Sequence, residues 1–229
     1  MDFQDIVILT MELIGTVAFS ASGAVLGADK GMDLFGICVL GVITSVGGGM
    51  IRDLMLGITP PNVFQHPIYV AVATGTACVV FWDMCRLRKQ AQSKAPKAIE
   101  RLMMAMDSLG LGVFTAVGVN TGIQHGYEGH IFLLTFLGTI TGVGGGLLRD
   151  MMAESPPYIF VRHVYACASI LGAVLCAELY KPFGVVAAMM ISTTSVVIIR
   201  YLAAYYHWNL PKLPVLRSET LEEKKENVL

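Results

Sequence analysis

The amino-acid sequence predicts an all-α integral membrane protein in which seven transmembrane helices form two inverted three-helix repeats plus a seventh helix. Three observations lead there. The 229-residue chain is 55% hydrophobic and only 14% charged, with a mean hydropathy of +0.64, where a soluble domain carries about 25% charge. It offers seven apolar stretches of the length that crosses a hydrocarbon core, about 20 helical residues. It also repeats a glycine-rich motif, SVGGGMIRDLM at 45–55 and GVGGGLLRDMM at 142–152. This composition excludes an ordinary cytosolic enzyme and a disordered chain. A formal net charge of −1 leaves no basic face for nucleic acid.

The spans follow in order. The first, 5–27, starts beside Asp2 and Asp5, whereas a secretory signal begins basic and ends in a cleavage site, so this run is expected to stay in the protein. Asp29, Lys30 and Asp33 separate it from the second, 33–56, and Pro60 with Pro61 end that helix, because proline cannot donate to the helix ladder. The third, 66–87, runs into a basic stretch. The fourth and fifth, 101–123 and 130–153, are parted by the loop from His125 to His130, and Pro156 with Pro157 close the fifth. Lys181 and Pro182 divide the sixth, 162–180, from the seventh, 183–206. Cys38, Cys78, Cys85, Cys167 and Cys176 lie in or at the ends of these runs without metal-ligand spacing, and are expected to be buried as small hydrophobes.

Short connections rich in Lys and Arg stay cytoplasmic. Arg86, Arg88, Lys89, Lys94, Lys97 and Arg101 mark the third connection, which puts the N-terminus outside and the C-terminus inside. Residues 1–206 then form a single transmembrane domain, with repeat one at about 5–87, repeat two at about 101–180, and a polar cytoplasmic tail at 207–229.

The repeat reaches well beyond the motif. Upstream, the block from Glu12 to Gly23 aligns with that from Asp107 to Gly118, matching Gly15 with Gly110 and Phe19 with Phe114. Downstream, Pro60, Pro61, Phe64 and Tyr69 align with Pro156, Pro157, Phe160 and Tyr165. Three blocks in the same order across three spans define two copies. Each copy holds an odd number of spans, so the second enters from the opposite side of the membrane. Inverted copies of this kind place broken helices around a pathway near the midplane.

The chemistry sits in the second and fifth spans. Gly47, Gly48 and Gly49, and again Gly144, Gly145 and Gly146, fall inside them. Glycine costs about 1 kcal/mol against alanine in a helix interior, so each triplet is expected to kink or unwind its helix and leave carbonyls that attract a cation. The competing use is close helix packing, as at Gly23 and Gly27. Arg52 with Asp53, and Arg149 with Asp150, put ionisable groups in the same spans, where such groups face a cavity or each other. Helical neighbours diverge by about 100°, so each pair is expected to reach to another helix, although an arginine near a span's end can instead snorkel to the headgroups. Glu12 and Asp107 are matched carboxylates, candidates for mouth charges or for structural hydrogen-bond acceptors. Thr44, Ser45 and Thr141 can wet a path or bond their own helix carbonyls. The sequence holds no phosphate-binding loop, dinucleotide fingerprint or catalytic triad, and the reading is not an enzyme. His66, His125, His130, His163 and His207 fall at loop or span edges, and Tyr205, Tyr206 and Trp208 suit an interfacial aromatic belt.

With GGGMIRD at 47–53, GGGLLRD at 144–150, a three-plus-three-plus-one span count and an outside N-terminus, residues 5–206 resemble the prokaryotic branch of the trimeric intracellular cation (TRIC) channels. Relatives in that branch also carry a glycine-transporter label. The resemblance implies a homotrimer among membrane lipids in a bacterial or archaeal inner membrane, with a pore in each protomer lined by helices two and five kinked at the triplets. It implies passive conduction of monovalent cations, chiefly potassium, and no cofactor besides a permeant potassium or sodium ion. On that reading Asp53 and Asp150 favour cations, and Arg52 and Arg149 act as latch or barrier. The alternative is a secondary transporter for glycine or a similar small zwitterion.

Overall fold

The computed structural model describes residues 3–90, 95–161, 164–206 and 208. Every regular element among them is helical: α1 (Phe3–Asp29), α2 (Leu34–Met55), α3 (Asn62–Gln65), α4 (Ile68–Gln90), α5 (Ala95–Gln124), α6 (Ile131–Met152), α7 (Tyr158–Val161), α8 (Tyr165–Phe183) and α9 (Val185–Tyr205). Seven of these, all but α3 and α7, are long and apolar enough to cross a membrane. They match the seven spans to within a few residues at most ends. Asp33 starts α2 by accepting the Gly36 amide at 2.7 Å, a satisfied N-terminal donor that fixes where the helix begins. Two ends differ from expectation. α5 begins at Ala95, inside the basic stretch. The break between α8 and α9 falls at Gly184, whose φ of +81° favours glycine, while Pro182 is accommodated in the last turn of α8, where it forfeits a single ladder hydrogen bond. Residues 91–94, Arg162, His163, His207 and the tail from 209 lie outside the described residues, as does most of what the tail assignment rests on.

Helices α1, α2, α5 and α6 form the centre, with α1 against α2 and α5, and α6 against α5 and α2. α4 covers α1 and α2, and α8 covers α6 and α5. The two three-span units therefore share one plan, and α9 lies mainly on the second, across α5 and α8, with a small contact to α1. Large apolar side chains such as Phe35, Trp82, Phe132 and Phe183 are exposed on the perimeter, where lipid replaces water. Cys176 is buried, but Cys38, Cys78 and Cys85 are half-buried and Cys167 is exposed. The expectation of five buried cysteines is corrected accordingly, since a lipid-facing thiol has no water to avoid.

The glycine triplets also require a correction. α2 and α6 run as unbroken helices through Gly47–Gly49 and Gly144–Gly146, so the backbone is not unwound there. The glycines make room instead. A Cβ on Gly48 would lie 2.1 Å from the Thr141 carbonyl oxygen, and one on Gly145 would lie 2.1 Å from that of Thr44. The two helices cross backbone to backbone at matched glycines, and the close approach gains the dispersion contacts that drive helix association in lipid.

The aspartates of the two motifs share a further duty. After each proline pair, a four-residue helix is anchored from behind: Asp53 Oδ2 accepts the Asn62 amide at 2.8 Å, and Asp150 Oδ2 accepts the Tyr158 amide at 2.8 Å. A helix of one turn has no ladder of its own to satisfy its first amide.

Candidate functional site

The N-terminal half of α1, the C-terminal halves of α2 and α5, and the connection through α3 to the start of α4 enclose a cavity of about 320 Å³. Asp5, His66, Gln124 and His125 stand at its exposed rim. Glu12, Thr16, Ser45, Gly49, Arg52, Asp53 and Tyr69 line its depth, and Phe114 and Val117 its floor. Its charged lining, histidines aside, is three carboxylates, Asp5, Glu12 and Asp53, against one guanidinium, Arg52. Such an imbalance in a low-dielectric cleft concentrates cations.

Inside the cavity, Arg52 donates from Nε at 2.9 Å and from Nη2 at 2.7 Å to Asp53 Oδ1. The Tyr69 hydroxyl donates to Glu12 Oε2. The Arg52 pairing corrects the expectation of a partner on another helix: divergence of neighbouring Cβ atoms fixes where a side chain starts, and the long arginine stem curls back over its neighbour. Ser45 lines the cavity while donating to the Val42 carbonyl at 2.9 Å. Gly49 faces open space, for a Cβ there would meet only Arg52 Nη2, at 3.7 Å.

A second charged cluster is built from the matched positions of the other unit. Arg149 Nη1 donates to Asp107 Oδ1 at 2.7 Å and to Ser22 Oγ at 2.6 Å, and its Nε to Asp150 Oδ1 at 2.8 Å. Arg200 of α9 donates from Nη2 to Asp107 Oδ2 at 3.2 Å and from Nε to Ser108 Oγ at 3.3 Å. The Tyr165 hydroxyl donates to Asp107 Oδ1 at 3.4 Å, and the Arg200 guanidinium lies 4.6 Å from the Tyr165 ring centroid. Arg149 and Asp107 are fully buried, a state tolerable for charges only when each is paired.

This cluster is sealed where the first is open. Asp107 is no mouth charge but a shared acceptor at the centre of two ion pairs, and Arg149 does not snorkel. Its pairing stays within the second unit, apart from Ser22 of the first. Arg200 is the residue whose role sequence reasoning missed: it has no repeat partner, and its only signal was a lone charge inside the last third of the seventh span. Two guanidiniums and two carboxylates balance.

The two clusters are separated by the helix crossing. Phe19 and Phe114, equivalent in the repeat, pack there with ring centroids 5.3 Å apart, and Phe19 also lies beside Gly145 and against Gly110. Thr44 and Thr141 are buried in the same layer, each donating at 2.6 Å to a carbonyl of its own helix, Leu40 and Leu137. Of the candidate residues in these spans, Glu12, Ser45, Gly49, Arg52 and Asp53 line the open cavity. Thr44, Thr141, Asp107, Arg149 and Asp150 do not.

Known proteins place the chain further. A family model described as glycine transporter matches residues 9–83 and 104–181, one segment on each unit of the repeat. The chain is 34% identical over 204 residues to the UPF0126 inner membrane protein YadS of Escherichia coli (strain K12), covering 88% of this chain and 93% of that one. It is 38% identical over 178 residues to a UPF0126 membrane protein of Deinococcus radiodurans, covering 76% and 78%. Among solved structures, it is similar to a TRIC trimeric intracellular cation channel orthologue from Rhodobacter sphaeroides, with a TM-score of 0.78 and 28% identity over 88% of this chain and 99% of that one. It is also similar to a TRIC cation channel whose conductance was the subject of its structure, with a TM-score of 0.77 and 30% identity over 95% and 100%.

Proposed function

The chain belongs to the family described as glycine transporter and has UPF0126 membrane proteins as relatives, and from its likeness to TRIC cation channels we propose that it is a passive cation channel of the inner membrane. The observation that carries this reading is the outer cavity, where carboxylates outnumber guanidiniums and Phe114, packed on Phe19, closes the floor. The proposed permeant ions are monovalent, chiefly potassium, with sodium second. The path would run from this cavity past Phe19 and Phe114 and on past the Asp107–Arg149–Arg200 cluster, so the present arrangement is a closed one. Opening requires α2 and α6 to part at their glycines, and Arg52 and Arg149 to remain held by their carboxylates. A guanidinium standing free in the path would repel the ion.

The cavity and both charged clusters are made from residues of a single chain, which supports one pore per protomer, and the likeness to a TRIC trimeric intracellular cation channel orthologue supports a homotrimer. The cavity opens on the face that carries the N-terminus. With the basic third connection on the other side, that face is proposed as the outside. The inverted relation of the two units follows from three spans in each. The experiment is cation flux into liposomes containing the purified protein, read with thallium and an internal fluorescent reporter. Flux that rises linearly with thallium and is indifferent to glycine supports a channel.

A second reading is a carrier for glycine or a similar zwitterion. It is favoured by Arg52 and Glu12 sharing one cavity, a cation for a carboxylate and an anion for an ammonium group. It requires saturable glycine uptake in the same liposomes.

A further inference from the structure

The repeat allows matched atoms in the two units to be compared. In the second unit both oxygens of Asp107 are used: Oδ1 takes the Tyr165 hydroxyl and Arg149, and Oδ2 takes Arg200. In the first unit Glu12 stands at the matched position, and its Oε2 takes the hydroxyl of Tyr69, the match of Tyr165. Its Oε1 accepts no hydrogen bond among the described residues, and the side chain faces the outer cavity. The difference traces to one element. Arg200 comes from α9, the helix that packs on the second unit and has no counterpart on the first.

Arg200 is thus a tethered cation seated on the second oxygen of a buried carboxylate, and we propose that the matching place, Glu12 Oε1, is a binding site for a free monovalent cation arriving from the outer mouth. Several features fit that occupant. Glu12 is one methylene longer than Asp107, which carries its carboxylate outward into the cavity. The cavity's one guanidinium, Arg52, donates its two hydrogen bonds to Asp53 and makes no contact ion pair with Glu12. The Thr16 and Ser45 hydroxyls spend their protons on the carbonyls of Glu12 and Val42, which leaves lone pairs as acceptors on the lining. At about 30 Å³ per water, a cavity of 320 Å³ holds an ion together with most of its hydration shell. A single uncommitted carboxylate suits a monovalent ion, since calcium and magnesium sites gather several oxygen ligands in a fixed geometry. The inference deepens the channel reading by naming where the ion rests, and it does not require that the ion go on to cross.

The test is equilibrium binding to the native protein in detergent. Thermal stability is titrated with potassium or rubidium at constant ionic strength, balanced with N-methyl-D-glucamine, in wild type and in Glu12→Gln. The amide keeps an oxygen for the Tyr69 hydroxyl and removes only the charge. Saturable stabilisation of the wild type is expected, weakened about tenfold or more in Glu12→Gln, as loss of a unit charge at contact distance implies. Crystals of the wild-type protein soaked in thallium should show an anomalous peak beside Glu12 Oε1, a readout that does not depend on the variant folding. Stabilisation that does not saturate, equal affinity in Glu12→Gln, or no thallium at Glu12 overturns the site. Binding at Glu12 without current would keep the site and remove the channel. Current without Glu12-dependent binding would do the reverse.

Discussion

Replacing Gly48 and Gly49 separately by alanine should have opposite effects, although the two residues are neighbours in one triplet. A Cβ on Gly48 would sit 2.1 Å from the Thr141 carbonyl oxygen and 3.0 Å from its carbon. Both are backbone atoms, so the helices must separate by about 1 Å or more to restore ordinary contact. Overpacking of this kind costs about 1–3 kcal/mol, and a backbone-to-backbone clash belongs at the upper end, against the roughly 1 kcal/mol that alanine returns in helix propensity. Gly48→Ala should therefore lose about 1–2 kcal/mol. A Cβ on Gly49 meets nothing nearer than Arg52 Nη2 at 3.7 Å, so Gly49→Ala should be neutral or gain up to about 1 kcal/mol. The assay is unfolding in mixed micelles at rising dodecyl sulfate, followed by far-ultraviolet circular dichroism. Equal damage from the two substitutions would refute the packing account, because it would mean that the backbone freedom of the triplet matters and not the missing Cβ.

Other consequences can be checked alongside. Gly48→Ala combined with Gly145→Ala should cost less than the sum of the two, since both Cβ atoms pry open the same crossing and the second finds it already open. Asp107→Asn leaves Arg149 and Arg200 with Asp150 as the remaining carboxylate of the cluster; breaking buried pairs of this kind costs about 3–5 kcal/mol, measured by the same unfolding titration. Arg52→Gln removes the one guanidinium of the Glu12 cavity and should raise cation flux into liposomes severalfold, and unchanged flux would remove Arg52 from the path. Phe114→Ala should deepen the cavity towards the second cluster and increase flux, at a stability cost of about 3–5 kcal/mol.

Much of the fold was legible because a bilayer leaves few choices. Backbone groups in lipid must be satisfied within a helix, so hydropathy alone located the spans, and the matched Phe19–Phe114, Tyr69–Tyr165 and proline pairs located the repeat. The ends that slipped did so for local reasons. Pro182 reads as a break, yet a proline in a last turn is tolerated, and the chain turns at Gly184, the residue able to take a positive φ.

The candidate site was legible in its membership and not in its wiring. Sequence put Glu12, Arg52, Asp53, Asp107, Arg149 and Asp150 on record as the charged residues of the central spans. It could not tell which of two matched clusters was open. That depends on α9 and on Arg200, which has no repeat partner to draw attention to it. A glycine triplet has low helix propensity wherever it stands, and whether that weakness becomes a break or a contact depends on what lies opposite. Here it is the matching glycine of another helix. Rotation per residue likewise says nothing of the reach of an arginine, which is why Arg52 and Arg149 both bond their immediate neighbours.

The proposal that the protein is a passive cation channel is tested most directly by recording from the purified protein in a planar bilayer under a potassium chloride gradient. The account predicts discrete openings whose current reverses near the potassium equilibrium potential. A reversal near the chloride potential, or silence together with saturable glycine uptake by the same preparation in liposomes, would contradict it.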